Sequence, residues 1–121
     1  MKPGKTGFTR ILYASMYSIK GFRAAWKNEA AFRQEIILLI IGFGIASYLP
    51  LNRFEMLALI GSLIIIIITE LLNSAIEAVV DRTGSDWNEL SGRAKDMGSA
   101  AVMSALILAA LTWLTVLYRF L

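Results

Sequence analysis

Between Met97 and Tyr118 the chain runs for 22 residues without one charged side chain. A helix of that length rises about 33 Å, enough to cross a bilayer core of roughly 30 Å. A second segment, Met56–Val80, is equally apolar except for Glu70 and Glu77. A third, Ile36–Leu49, is uncharged but short, and residues 30–32 bring it to spanning length. These runs predict an all-α membrane protein with three transmembrane helices, over about 30–49, 54–82 and 92–119, in one membrane domain. Only 17% of the residues are charged, against about 25% in soluble proteins.

Pro50 and Asn52 mark the first turn, and its brevity makes the first two spans antiparallel neighbours. Residues 83–91 (TGSDWNELS) mark the second turn. Up to residue 33, seven Lys and Arg side chains stand against Glu29 alone. By the positive-inside rule this end is expected in the cytoplasm. Three crossings then place the 82–96 loop in the cytoplasm and the C-terminus outside. A basic N-terminus beside apolar spans points to anionic lipid headgroups and away from nucleic acid.

Residues 6–28 have a different pattern. Phe8, Ile11, Leu12, Ile19, Phe22 and Trp26 share one helical face, while Arg10, Lys20 and Lys27 lie mostly away from it. This is the pattern of an amphipathic helix in the membrane interface, with Gly21 as a possible break. In the third span, Ala94, Gly98, Ala101, Ala105 and Ala109 form a ridge for close helix packing. Trp26, Trp87, Trp113, Tyr48 and Tyr118 lie near span ends, as interfacial aromatics do.

The chain has no Cys and no His, which excludes thiolate and imidazole chemistry. Acid–base or metal work falls to oxygen and amine groups, so any metal is a hard cation such as Mg²⁺. No glycine-rich nucleotide loop is present. The informative stretch is Glu70-Leu-Leu-Asn73-Ser74-Ala-Ile-Glu77-Ala-Val-Val-Asp81. At about 100° per residue, Glu70, Asn73, Glu77 and Asp81 fall on one face of an otherwise apolar helix. Ionisable residues within a span are costly and mark function. Counted from Arg53, Glu70 lies roughly 25 Å along the helix and Glu77 about 10 Å further, near the cytoplasmic side. Such a stripe suits chemistry between a lipid and a cytosolic compound. Glu70 is placed to act as a general base. Glu77, with Asn73 and Asp81 close by, suits a hard metal, and Glu29 and Glu35 are candidates for a second ligand. Lys95 and Asp96 offer a phosphate-binding cation and a further acid.

Three blocks carry a resemblance. Glu70 to Arg82 (ELLNSAIEAVVDR), Ser91 to Ala101 (SGRAKDMGSAA) and Ala24 to Glu35 (AAWKNEAAFRQE) resemble the signature of the bacterial integral-membrane diacylglycerol kinases. The resemblance implies a homotrimer in the inner membrane of a bacterium, with shared sites at the cytoplasmic interface, which passes the γ-phosphoryl of MgATP to diacylglycerol and yields phosphatidic acid. It implies Glu70 as catalytic base with Asn73 beside it, and Glu29 and Glu77 as metal-binding acids. Arg10, Tyr17, Asp86, Trp87, Asn88, Lys95 and Asp96, with the two metal acids, match nucleotide positions. Arg10, Ser15, Arg23, Trp26, Ala31, Glu35, Glu70 and Ser99 match positions around the lipid. Trp87-Asn88 stands where the family commonly has an aromatic-His pair. Two other readings stay open: an undecaprenol kinase of the same family, and a small assembly or transport protein using its buried glutamate.

Overall fold

The computed structural model describes residues 6–121. Lys2 and Lys5 of the basic N-terminus lie outside the described residues. Four α-helices follow one another: α1 (Gly7–Asn28), α2 (Ala30–Tyr48), α3 (Arg53–Arg82) and α4 (Glu89–Leu117), closed by a 3-10 turn, Tyr118–Phe120. Among the described residues there is no strand. Helices α2 and α3, and α4 with its closing turn, are long and apolar enough to cross a membrane.

Helix α1 is a single element, and Gly21 does not break it. Nothing lies within 4 Å of the space a side chain there would fill, and one helical glycine costs only about 1 kcal/mol relative to alanine. Its apolar face looks outward: Phe8 is 74% exposed and Trp26 48%. Phe22 links this face to α2, with its ring 6.4 Å from that of Phe32.

The elbow between α1 and α2 is one residue. Glu29 takes an extended conformation (φ −120°, ψ 107°), which interrupts the helical bonding there. Its N–H still donates to the Ala25 carbonyl at 2.9 Å. The carbonyls left open at the end of α1 need partners. Arg33 reaches back from α2 and donates from Nη1 to Trp26 O at 2.7 Å and to Lys27 O at 3.3 Å.

Helix α3 begins with a reciprocal cap. Asn52 Oδ1 accepts from Glu55 N at 2.8 Å, and Glu55 Oε1 accepts from Asn52 N at 3.0 Å. Arg119 then ties the far end of the chain to this turn, donating from Nη2 to Pro50 O and pairing with Glu55 Oε1, each at 2.9 Å. The helix stops after Arg82, with Gly84 in the left-handed region at φ 116°. Helix α4 opens at Glu89, because Asn88 Oδ1 accepts from Ser91 N at 3.0 Å. Residues 89–91, expected in the turn, are therefore the first turn of the helix.

Helix α3 is the central element, packed on α2 and α4. Leu63 and Ile66 meet Ala105 and Ala109 of α4, while Ile67 meets Phe32 of α2 and Ala25 of α1. The expected ridge on α4 is corrected at one position. Gly98, Ala105 and Ala109 are buried and Ala94 is half-buried, but Ala101 is exposed and Val102 takes its place. At about 100° per residue, position 102 lies about 40° from the seam centred on Gly98, and position 101 about 60° from it.

Candidate functional site

The polar face of α3 grades from dry to wet. Glu70 is 6% exposed and Asn73 9%, Glu77 is half-buried, and Asp81 is exposed. Each member has a partner placed by helical spacing or by α4. Ser74 Oγ, one turn on, donates to Glu70 Oε2 at 3.2 Å. Asn73 Nδ2 donates to Glu77 Oε1 at 3.2 Å. Lys95 Nζ of α4 pairs with Asp81 Oδ1 at 2.7 Å. From α2, the Glu35 carboxyl faces that of Glu70.

Two buried oxygens here lack a hydrogen-bond partner, Asn73 Oδ1 and Glu35 Oε1. Buried polar atoms are nearly always paired, and exceptions often sit where a ligand or ion completes the set. Beside this stripe a groove of about 570 Å³ opens between α1 and α3. Phe22, Ala25 and Glu29 line one wall, and Leu71, Ser74 and Ala78 the other. Its walls are mainly apolar, and Ser74 connects it directly to Glu70.

The remaining expected residues are spread along the chain. Arg10 and Ser15 are exposed on α1, and Tyr17 is half-buried there. The Tyr17 ring lies 6.4 Å from that of Tyr13 and carries Lys20 Nζ 5.7 Å from its centroid. Arg23 and Trp26 border a second hollow, of about 420 Å³, with Phe32 and Ile36. Ala31, Asp86, Trp87, Asp96 and Ser99 are exposed, and Asn88 caps α4. One chain thus brings together Glu35, Glu70, Asn73, Ser74, Glu77, Asp81 and Lys95. It does not gather the expected nucleotide set: Arg10 and Tyr17 ride on α1, which leans mainly on α2, while Lys95 and Asp96 ride on α4, which packs on α3. Nor do three acidic side chains converge as a metal cage among the described residues.

Ser74, Gly98 and Arg33 join the site through the structure. Ser74 was recoverable, being four residues from Glu70 on the same face. Gly98 read only as packing. Arg33 gave no signal, because its partners are backbone carbonyls.

Fold and site define an integral membrane protein with a buried acidic centre beside an apolar groove, the two linked by Ser74. The prokaryotic diacylglycerol kinase family matches residues 16–117. The chain is 55% identical to the diacylglycerol kinase of Escherichia coli K12 over 118 residues, covering 98% of this chain and 97% of that one. It is 47% identical to that of Pseudomonas aeruginosa over 94% of this chain and 93% of the relative. With that of Haemophilus influenzae the figures are 42%, 93% and 96%. The chain belongs to the prokaryotic diacylglycerol kinase family, and it is a kinase.

Proposed function

We propose that this protein transfers the γ-phosphoryl group of MgATP to the free hydroxyl of diacylglycerol, giving phosphatidic acid and ADP at the cytoplasmic face of the membrane. The observation that carries this reading is Glu70: a carboxyl group inside an apolar span, bonded to a serine that lines an apolar groove. A lipid in that groove can bring its polar end to the carboxylate while its chains stay among apolar side chains.

Glu70 accepts the proton of the lipid hydroxyl as that oxygen bonds to the γ-phosphorus and the bond to ADP breaks. Ser74 holds Glu70 by one oxygen. Lys95 leaves Asp81 to meet phosphate oxygens, an exchange helped by the partial solvation of the lysine and the exposure of the aspartate. Asn73 orients Glu77.

The donor set fits Mg²⁺. Such an ion usually takes one or two protein carboxylates and fills its shell with phosphate oxygens and water. Glu77, whose carboxylate is held by Asn73, and Glu29, at the elbow that borders the groove, would hold it, with phosphate oxygens and water completing the shell. When bound, the ion neutralises charge building on the phosphates.

A homotrimer with sites shared between subunits is supported by the division of the nucleotide set. Arg10 and Tyr17 of one subunit would complete residues 86–96 of another. Helix α1, with its apolar face outward and cations beside it, lies in the cytoplasmic interface by this reading, and the C-terminus outside.

The test offers diacylglycerol and undecaprenol together in mixed micelles with labelled MgATP. Preferential labelling of diacylglycerol is expected. Preferential labelling of undecaprenol would overturn the substrate and keep the chemistry. Labelling of neither, by folded protein, would overturn phosphoryl transfer to these lipids.

A further inference from the structure

Gly98 lies within α4, where the backbone is ordinary helix. A glycine there lowers helix stability relative to alanine and is not required by conformation. What requires it is the neighbour. A methyl group on Gly98 would run into Asn73 Oδ1, with Asn73 Cγ at 3.3 Å and Ile76 Cδ1 at 3.6 Å. Other helical glycines, Gly21, Gly44, Gly61 and Gly92, have nothing within 4 Å of that space. Among the described glycines, Gly98 alone stands against a polar side chain of the site.

Asn73 is 9% exposed, its Oδ1 has no hydrogen-bond partner, and its Nδ2 donates to Glu77 Oε1. We propose that Gly98 is a positioning residue: its missing side chain is the seat of the Asn73 amide, and that amide sets the orientation of the Glu77 carboxylate toward the metal–nucleotide. The role of Glu77 rests on the proposed function above. The reason is steric. An added methyl leaves the backbone free to stay in place, because the obstructing atoms belong to the end of a side chain. Asn73 can turn aside, and turning breaks its bond to Glu77. The helix gains propensity from the alanine while the site loses its alignment.

The fold and the site should therefore respond in opposite ways to Gly98→Ala. In the full-length protein in micelles, we expect helicity and thermal midpoint within a few degrees of the parent. We expect Mn²⁺ with a non-hydrolysable ATP analogue, followed by electron paramagnetic resonance, to bind about tenfold more weakly. The Mg²⁺ concentration for half-maximal phosphorylation should rise similarly. Gly61→Ala, in open space on α3, serves as the propensity control and should change none of these.

Parental Mn²⁺–nucleotide binding by Gly98→Ala would overturn the proposal. So would a fall in activity that follows the thermal midpoint, with metal binding unchanged in the folded fraction, since that is packing damage. If Gly98→Ala misfolds, Asn73→Ala is measured instead, because it removes the amide and needs no added volume. Parental metal binding there overturns the proposal equally. Glu77→Gln separates the two levels. Unchanged metal binding in Glu77→Gln refutes the metal role of Glu77 itself. Weakened binding in Glu77→Gln beside parental binding in Gly98→Ala refutes only the role of Gly98.

Discussion

Ser74 Oγ donates to Glu70 Oε2 at 3.2 Å across one turn of α3, and the same serine lines the groove between α1 and α3. The bond joins a buried carboxyl to the surface a lipid would touch. A hydrogen bond of this kind contributes about 1 kcal/mol. Ser74→Ala should therefore lower kcat about fivefold, with lipid and nucleotide KM nearly unchanged. A steady-state assay over both substrates checks this; a change confined to lipid KM would make Ser74 a groove residue only.

Glu70→Gln keeps the shape of the side chain and removes the proton acceptor. Loss of a general base lowers rates by about 10²- to 10⁴-fold. Phosphoryl transfer should fall by that amount while helicity by circular dichroism and detergent-solubilised size stay at parental values. Turnover near the parental rate would take Glu70 out of the base role.

Lys95 and Asp81 pair at 2.7 Å, yet both side chains are substantially solvated. Exposed pairs of this kind contribute about 0–1 kcal/mol. Asp81→Asn should leave the thermal midpoint within a few degrees and change nucleotide KM less than about fivefold. Lys95→Met should weaken nucleotide binding far more, because it removes the cation itself. Equal losses in the two variants would mean that the pair, and not the lysine, serves the site.

Arg33 supports the elbow at Glu29 through the Trp26 and Lys27 carbonyls. Arg33→Ala opens those carbonyls at the end of α1. Amides around 25–29 should exchange hydrogen faster, and Glu29, seated on the same elbow, should lose its alignment with the groove. Exchange mass spectrometry in micelles reads the first effect; unchanged protection would show that the elbow holds without Arg33.

At the opposite end, Glu55 Oε1 accepts from both Asn52 N and Arg119 Nη2. Asn52→Ala removes the cap of α3 and should cost about 1 kcal/mol. Arg119→Ala should cost at most about 1 kcal/mol, since the guanidinium is half-exposed. Phosphoryl transfer should be retained in both, because this end lies far from Glu70 along α3. A thermal melt beside an activity assay checks both expectations.

Much of this protein is readable from residue order. Uncharged runs set the three long helices, because a bilayer core admits few charges and a helix satisfies its own backbone. The spacing of Glu70, Asn73, Glu77 and Asp81 put them on one face, because helical rotation per residue is constant. The reach of sequence ends where one helix meets another. Spacing alone allows Ala101 on the ridge, yet Ala101 is exposed and Val102 half-buried, and only packing against α3 sets the rotation of α4. Tertiary structure alone pairs Lys95 with Asp81, sets Gly98 against Asn73, and ties Arg119 to Pro50 across 69 positions. Periodicity determines which residues share a face. What that face touches is decided by the interlocking of neighbouring helices, which no single segment encodes.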